Sequence, residues 1–289
     1  MRKVKRLQMN VVNPTTLSEP FLKWAGGKRW LVRGYSHLFP MEFERYIEPF
    51  LGSGAVFFHL LPLQSILADK NAELIAAYRV IRRYPDEVAK LLESYHGRHS
   101  CRFYYDIRDA DLESEIEQAA RFVYLNRVCW NGLYRVNLKG KFNVPIGTKT
   151  QVKFQTGFLR QVSTHLKHAK LMTSDFETVI DGARCNDFVY VDPPYTVSHN
   201  NNGFIKYNGV LFSWADQLRL ANAVKRAVAR GALVFVSNAD HAPVKKLYRE
   251  LPFYRKLGRA SILAGDSGAR RQTSEAAFLS YQPTLEDEL

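Results

Sequence analysis

Phe188-Val189-Tyr190-Val191-Asp192-Pro193-Pro194-Tyr195 reads as a buried strand that stops in a carboxylate, two prolines and an aromatic ring. Four apolar residues in succession, β-branched and aromatic, predict a strand covered on both faces, as in parallel sheets. The prolines remove two backbone donors and fix φ, so carbonyl oxygens at the strand end stay free to accept and Tyr195 is held as a flat wall. Chemically this is a pocket for a planar group bearing N–H donors. The structural alternative is an ordinary strand-ending turn, for which Pro and Asp are also suited.

Outward from this stretch, similar short runs recur at 46–50, 65–69, 170–173, 187–191 and 232–236, each ending in polar, Pro or Gly residues. Helical patterns fall between them, for example Arg29 to Leu38, Ala55 to Leu60 and Trp214 to Arg230, where Leu220, Ala221, Val224 and Val228 share one face. Such alternation predicts an α/β fold with a doubly wound, mostly parallel sheet. Ala260-Ser261-Ile262-Leu263 and Ala276 to Tyr281 flank a Gly- and Arg-containing loop and predict a terminal antiparallel hairpin at the sheet edge. Between 72 and 159 no parallel-sheet strand is legible. The stretch is mainly helical, then from Asn131 polar and rich in Asn, Gly, Arg and Lys, and it reads as an insert. The expected division is therefore a first catalytic part at 1–71, including a basic arm at 1–19, an insert at 72–159 and a second catalytic part at 160–289.

The 289 residues include 41 Lys and Arg against 28 Asp and Glu, a formal charge of +13 that points to a polyanionic partner. Cys101, Cys129 and Cys185 lie far apart with no CxxC pairing, which argues against a disulfide framework or a zinc site and for a cytoplasmic setting. No apolar stretch follows the basic N-terminus, so neither a signal peptide nor a membrane span is expected.

Glu48-Pro49-Phe50-Leu51-Gly52-Ser53-Gly54 joins the first strand to a helix. Glycines in such a turn let a ligand approach the backbone, and the helix start favours acidic groups, although a plain tight turn has the same residues. Asp69 ends the second strand, where a carboxylate accepts from ribose hydroxyls, and together they suggest an adenosine-containing cofactor. Ahead of them lies Phe21-Leu22-Lys23-Trp24-Ala25-Gly26-Gly27-Lys28. Leu22 stands where an ATP-binding loop needs its first Gly, and Arg29 follows Lys28, so a P-loop is disfavoured. An exposed Gly-Gly-Lys could instead bind an amino-acid carboxylate, or be a helix start with Trp24 in the core. After the third run, Asp175 could accept from an adenine amine with Phe176 against the ring; equally, it could cap the next helix.

From Cys129 to Pro145, Arg, Asn and Lys alternate with Trp and Tyr: Trp130, Asn131, Leu133, Tyr134, Arg135, Asn137, Lys139 and Lys141. Arg reads guanine bidentately, apolar side chains meet the thymine methyl and aromatics wedge between bases, so the segment suits DNA. A solvated hairpin would account for the polar residues but not for the large apolar ones among them.

The text and order of these motifs resemble the Dam-type, α-class D12 DNA adenine-N6 methyltransferases over roughly residues 20–281. Most specific are FLKWAGGK at 21–28, EPFLGSG at 48–54, ADKN at 68–71, NGLYRVNLKGKFNVPIG at 131–147 and DPPY at 192–195. The resemblance implies a Rossmann-like S-adenosylmethionine-dependent methyltransferase sheet with a mainly helical target-recognition insert that contains a β-hairpin. It implies a reaction yielding S-adenosylhomocysteine and N6-methyladenine in double-stranded DNA, most simply at GATC, by a metal-independent monomer. By position, Trp24, Lys28, Glu48, Phe50, Gly52, Gly54, Asp69, Asp175, Phe176 and Asp192 would hold the cofactor. Asp192, Pro193, Pro194 and Tyr195 would hold the target base. Lys23, Trp130, Asn131, Leu133, Arg135, Asn137 and Pro145 would contact DNA, with Trp130 where a Tyr is common. The match is looser over 258–275. The strand end does not itself fix the base: a cytosine-N4 or RNA amino-methyltransferase would use the same pocket, and a DNA-binding protein could keep the fold without catalysis.

Overall fold

Seven strands share a single sheet in the computed structural model, six running one way and one the other; the structure describes residues 19–137, 139–150, 152, 154–195, 212–259 and 273–284. The strands are β1 (Tyr46–Glu48), β2 (Ser65–Asp69), β3 (Ala169–Thr173), β4 (Phe188–Val191), β5 (Leu233–Ala239), β6 (Phe253–Arg259) and β7 (Thr273–Leu279). Their order is β3-β2-β1-β4-β5-β7-β6, with β7 running antiparallel between β5 and β6. The chain winds one way from β1 to β3 and the other way from β4 to β5. The winding reverses between β1 and β4, which pair Tyr46 with Phe188 and Ile47 with Val189. In such sheets ligands bind in the crevice beyond the carboxyl ends of the strands at that reversal. The glycine loop and the Asp-Pro-Pro-Tyr segment leave the sheet side by side there.

Strand periodicity explains both faces. Tyr46, Phe188, Tyr190 and Phe235 point into one core, with α2 (Ala55–Leu60); Ile47, Val189, Val191, Val234 and Val236 point into the other, with α8 (Phe176–Asp181) and α9 (Trp214–Ala229). Every residue of β4 is buried, so each large side chain there contributes about 1.5–3 kcal/mol of burial. α9 opens on a capping box in which Ser213 and Asp216 exchange side-chain and backbone hydrogen bonds. α10 (Ala242–Leu247) links β5 to β6, and α1 (Arg29–Tyr35) precedes β1. The helix expected to run to Leu38 ends at Tyr35 and continues as a single 3₁₀ turn, Ser36–Leu38.

Between β2 and β3 come α3 (Ala72–Arg83), α4 (Pro85–Gly97), α5 (Cys101–Asp109), α6 (Glu115–Val128) and α7 (Phe158–Leu166). α3 is capped by Asn71, and Arg79 and Arg82 donate to the backbone of β3, so this helix lies on the sheet margin. α6 packs against α3 and α4 and carries eight buried residues, including Asn126. After α6 the chain forms an antiparallel hairpin, with bridges Cys129↔Ile146 and Val136↔Phe142 and a tip closed by Asn137 N donating to Lys141 O at 2.8 Å.

A terminal antiparallel hairpin is present, with Phe253–Arg259 pairing Thr273–Leu279; the expected first arm at 260–263 lies outside the described residues. Tyr254, Arg255 and Lys256 face solvent on this edge strand, so charge hides its strand character. The N-terminal arm, Glu19 apart, also lies outside the described residues.

Candidate active site

At the carboxyl end of β4, Asp192 meets Lys28. The Lys28 ammonium lies 2.8 Å from Asp192 Oδ1 and 3.4 Å from Glu275 Oε2, donates to the Gly26 carbonyl at 3.0 Å, and sits 5.0 Å from the Tyr195 ring centre. The Gly-Gly-Lys segment expected to be exposed is so only at Gly26, which lies at φ 79°; Lys28 is 4% exposed. Burial would lower its pKa, but the charges of Asp192 and Glu275 outweigh that and hold it above the usual lysine value. A lysine so neutralised by the protein's own carboxylates is a poor receptor for a ligand carboxylate. The Tyr195 hydroxyl donates to Glu275 Oε2, and Ser237 Oγ lies 3.4 Å from that same oxygen. Burial, then the charges of Asp192 and Glu275, push the phenol well above its ordinary pKa. Pro193 is buried and Pro194 exposed.

Beside this cluster the glycine loop turns from β1 into α2. Gly52 and Gly54 lie at φ 47° and 68°, backbone that a side chain would strain. Gly52 N donates to Asp69 Oδ2 at 3.1 Å, Asn71 N donates to Asp69 Oδ1 at 2.9 Å, and Tyr78 OH donates to Gly52 O at 3.2 Å. Asp69 thus braces the loop while each of its oxygens keeps a lone pair for another donor. Burial raises its pKa despite those amides. Glu48 is 3% exposed and accepts from Tyr46 OH at 3.0 Å. Burial drives its carboxyl well above the ordinary range; the phenol bond opposes this, and the charges of Asp192 and Asp69 add to it.

Phe50 stacks on Phe176 with centroids 5.4 Å apart, and Phe212 packs across both. Asp175 does cap α8, accepting from Glu177 N at 3.0 Å, and its Oδ1 also pairs with Arg219 at 2.9 Å. Of the two alternatives raised by the sequence, the helix cap is the one made, with Arg219 as a further partner of the carboxylate.

The hairpin residues form a second group. Trp130 is 51% exposed, and Asn131, at φ 54°, and Pro145 are exposed beside it. Leu133 is half-buried. Arg135 Nε donates to Asn143 Oδ1 at 2.7 Å and its Nη2 to Asn143 O at 3.1 Å. The Asn137 side-chain oxygen Oδ1 accepts from the backbone amides of Lys139 and Lys141 and so shapes the tip. Lys23 is pinned at the hairpin base, where its amide donates to Asn126 Oδ1 at 2.8 Å and its ammonium to Arg127 O at 3.2 Å. Its pKa is lowered by burial, then by Lys149 and Arg127. Trp24 joins the groups, lying against Gly52 on one side and stacked on Tyr134 on the other.

Glu275, Ser237, Asn126, Asn143 and Arg219 were not anticipated from the sequence, nor was the stacking of Tyr134 on Trp24. Glu275 had a signal: it is the single charged residue of the run Thr273–Leu279. The others are ordinary polar or aromatic residues whose partners are set by the fold. Among the described residues, no group of three or more His, Cys, Asp or Glu could hold a metal, and no helix is long and apolar enough to cross a membrane.

A sheet ordered in this way, with its glycine loop and proline-bounded carboxylate at one switch point and a helical insert carrying a hairpin beside them, defines a Rossmann-like methyltransferase fold. The family model for the D12 class N6 adenine-specific DNA methyltransferases matches residues 24–262, and the chain belongs to that family. It is 35% identical over 284 residues to Type II methyltransferase M1.LlaDCHI of Lactococcus lactis subsp. cremoris, covering 95% of this chain and 98% of that protein. Type II methyltransferase M.MjaIII of Methanocaldococcus jannaschii is 37% identical over 243 residues, 76% of this chain and 84% of its own. DNA adenine methylase of Escherichia coli K12 is 32% identical over 267 residues, 91% and 95% of the two chains.

Proposed function

We propose that this protein transfers a methyl group from S-adenosylmethionine to N6 of an adenine flipped out of double-stranded DNA, most simply within GATC. The observation that carries this reading is the strand-end cluster. Asp192 and the Pro193 carbonyl offer acceptors at one edge of a site walled by Tyr195, next to a loop and carboxylates suited to a nucleoside.

The residues present fit that cofactor. Gly52 and Gly54 leave the loop without side chains, Asp69 retains acceptor capacity for ribose hydroxyls, and Phe50 and Phe176 offer apolar faces with Asp175 at their edge. Glu48 is a buried carboxylate that accepts from the Tyr46 phenol and has no Lys or Arg ion pair among the described residues, a natural receptor for the ammonium of the methionine part. When bound, S-adenosylmethionine supplies an electrophilic methyl group.

The chain's own residues do the rest. Flipping an adenine out of the duplex costs a few kcal/mol, and stacking on Tyr195 returns roughly 1–3 kcal/mol of it. The N6 lone pair is delocalised into the ring and poorly nucleophilic. By accepting from the N6 hydrogens, Asp192 and the Pro193 carbonyl localise that pair and stabilise positive charge as it develops. Fixed loop and strand ends hold the reacting groups near attack distance. Asp192 need not be a strong base, since the methylated amine is acidic and sheds its proton late.

Target recognition is assigned to the insert, 72–159, with the hairpin presenting Trp130, Asn131, Leu133, Arg135, Asn137 and Pro145 to the groove and Lys23 beneath it. The GATC assignment rests on the resemblance of 131–147 to the Dam-type enzymes, and a monomer suffices for every residue named. Incubating a plasmid with protein and cofactor, then mapping N6-methyladenine at base resolution, tests reaction, base and context together. Methyl groups on cytosine N4, or none on adenine, would overturn the reading.

A further inference from the structure

Strand β7 is apolar from Ala276 to Leu279, all buried, yet it begins its buried stretch with a carboxylate, Glu275, that is 3% exposed. A buried charge is tolerated only when paired and hydrogen-bonded. β7 is antiparallel to β5, so its amino-terminal end lies beside the carboxyl end of β5, with Glu275 opposite Ala239. That register delivers the carboxylate to the crevice. There one oxygen, Oε2, accepts from Tyr195 OH, lies 3.4 Å from Ser237 Oγ, and lies 3.4 Å from the Lys28 ammonium.

We propose that Glu275 is a positioning residue of this site, which fixes the Tyr195 ring through its hydroxyl and shares the Lys28 ammonium with Asp192, so that Asp192 can exchange Lys28 for the target amine. The inference rests on the methyltransferase reading. Lys28 is 2.8 Å from Asp192 and nearly enclosed. An Asp192 carboxylate committed to Lys28 has less charge to offer an incoming N–H donor. Were Asp192 its only counterion, release would leave a buried ammonium uncompensated. Glu275, already within 3.4 Å, supplies the second counterion without any change of backbone. It also sets the ring: a tyrosine whose hydroxyl is anchored cannot swing, so the face meant for the base is in place before the base arrives.

The test compares wild type with Glu275→Gln, Glu275→Ala, Tyr195→Phe and the Glu275→Ala/Tyr195→Phe double variant. Base flipping is read without cofactor from the fluorescence of 2-aminopurine at the target adenine; methyl transfer is read in single turnover, and cofactor affinity by calorimetry. Gln keeps an acceptor for Tyr195 but not the charge. Glu275→Gln is therefore expected to keep the fluorescence rise while transfer slows about tenfold at unchanged cofactor affinity, as loss of one charge-assisted contact implies. Glu275→Ala is expected to diminish both, and the double variant to flip no worse than Glu275→Ala alone. Transfer by Glu275→Gln within twofold of wild type would overturn the inference, as would effects on flipping that multiply independently in the double variant. If Glu275→Ala fails to fold, the isosteric Glu275→Gln and Tyr195→Phe decide the matter. A wild-type protein that methylates no adenine in the same duplex contradicts the functional reading itself; an active wild type with an indifferent Glu275→Gln contradicts only this inference.

Discussion

Trp24 lies flat against Tyr134, ring centroids 5.6 Å apart and planes at 22°, while the edge of the same indole occupies the space a side chain on Gly52 would need. Hairpin and glycine loop therefore meet through one aromatic ring. An aromatic pair contributes about 0.5–1.5 kcal/mol beyond area burial, so Tyr134→Ala is expected to weaken cofactor binding roughly two- to tenfold though Tyr134 lies in the segment proposed to contact DNA. Tyr134→Phe, which keeps the ring, should bind nearly as wild type. By linkage, DNA and cofactor should alter each other's affinity by one common factor, and that factor should shrink in Tyr134→Ala. Calorimetric titration of each ligand with and without the other checks both statements.

Gly52 is the tightest point of the loop. A Cβ built there falls 2.7 Å from Trp24 Cδ1, on backbone at φ 47°. Gly52→Ala should cost about 1–3 kcal/mol through strain alone. Denaturant unfolding should register it, together with weaker cofactor binding because Gly52 N no longer meets Asp69 squarely.

Glu48 gives the site a pH dependence with a defined sign. Burial raises its folded-state pKa well above the 4.5 of an ordinary glutamate. Between those values the folded protein keeps a proton that the unfolded chain has lost, so its contribution to stability is full below 4.5 and is lost as pH rises towards the folded value. Glu48→Gln should flatten this, gaining stability over wild type at pH 8 relative to pH 5 in denaturant titrations. Binding of the cofactor ammonium should also release a proton, measurable from binding enthalpies in two buffers of different ionisation heat. Glu48→Gln should show no such release.

Arg135 is held in one orientation by two hydrogen bonds to Asn143. Arg135→Ala should relax sequence choice, removing about 1–3 kcal/mol of discrimination at one base pair, more than it lowers affinity for DNA in general. Asn143→Ala should reproduce part of that loss without touching a base. Competition between the cognate duplex and duplexes with one pair changed checks both; an equal fall for every duplex would count against the assignment.

The sequence carried the switch point well because its markers are local. Pro193 and Pro194 end β4, Gly52 and Gly54 end the turn after β1, and Asp69 ends β2, each at the position read from the chain. The exposure expected of Lys28 was wrong because its burial depends on a carboxylate near the far end of the chain and on another at the end of β4, neither visible in Gly-Gly-Lys. Strand β6 was hidden for a related reason: an exposed edge alternates charge with apolar side chains, so Tyr254, Arg255 and Lys256 resemble a loop. Asp175 shows a third limit. A helix cap and a ligand contact use the same residue type at the same place, and only Arg219, from α9, shows that the carboxylate has a further partner.

The proposed role of Asp192, at the end of β4, is to activate an adenine amine for methyl transfer. Its most direct test is transfer of radiolabelled methyl from S-adenosylmethionine to duplex DNA, with the product digested to nucleosides, for wild type and Asp192→Ala side by side. Label is expected in N6-methyldeoxyadenosine for wild type and none for Asp192→Ala while cofactor binding persists; normal transfer by Asp192→Ala would contradict that role.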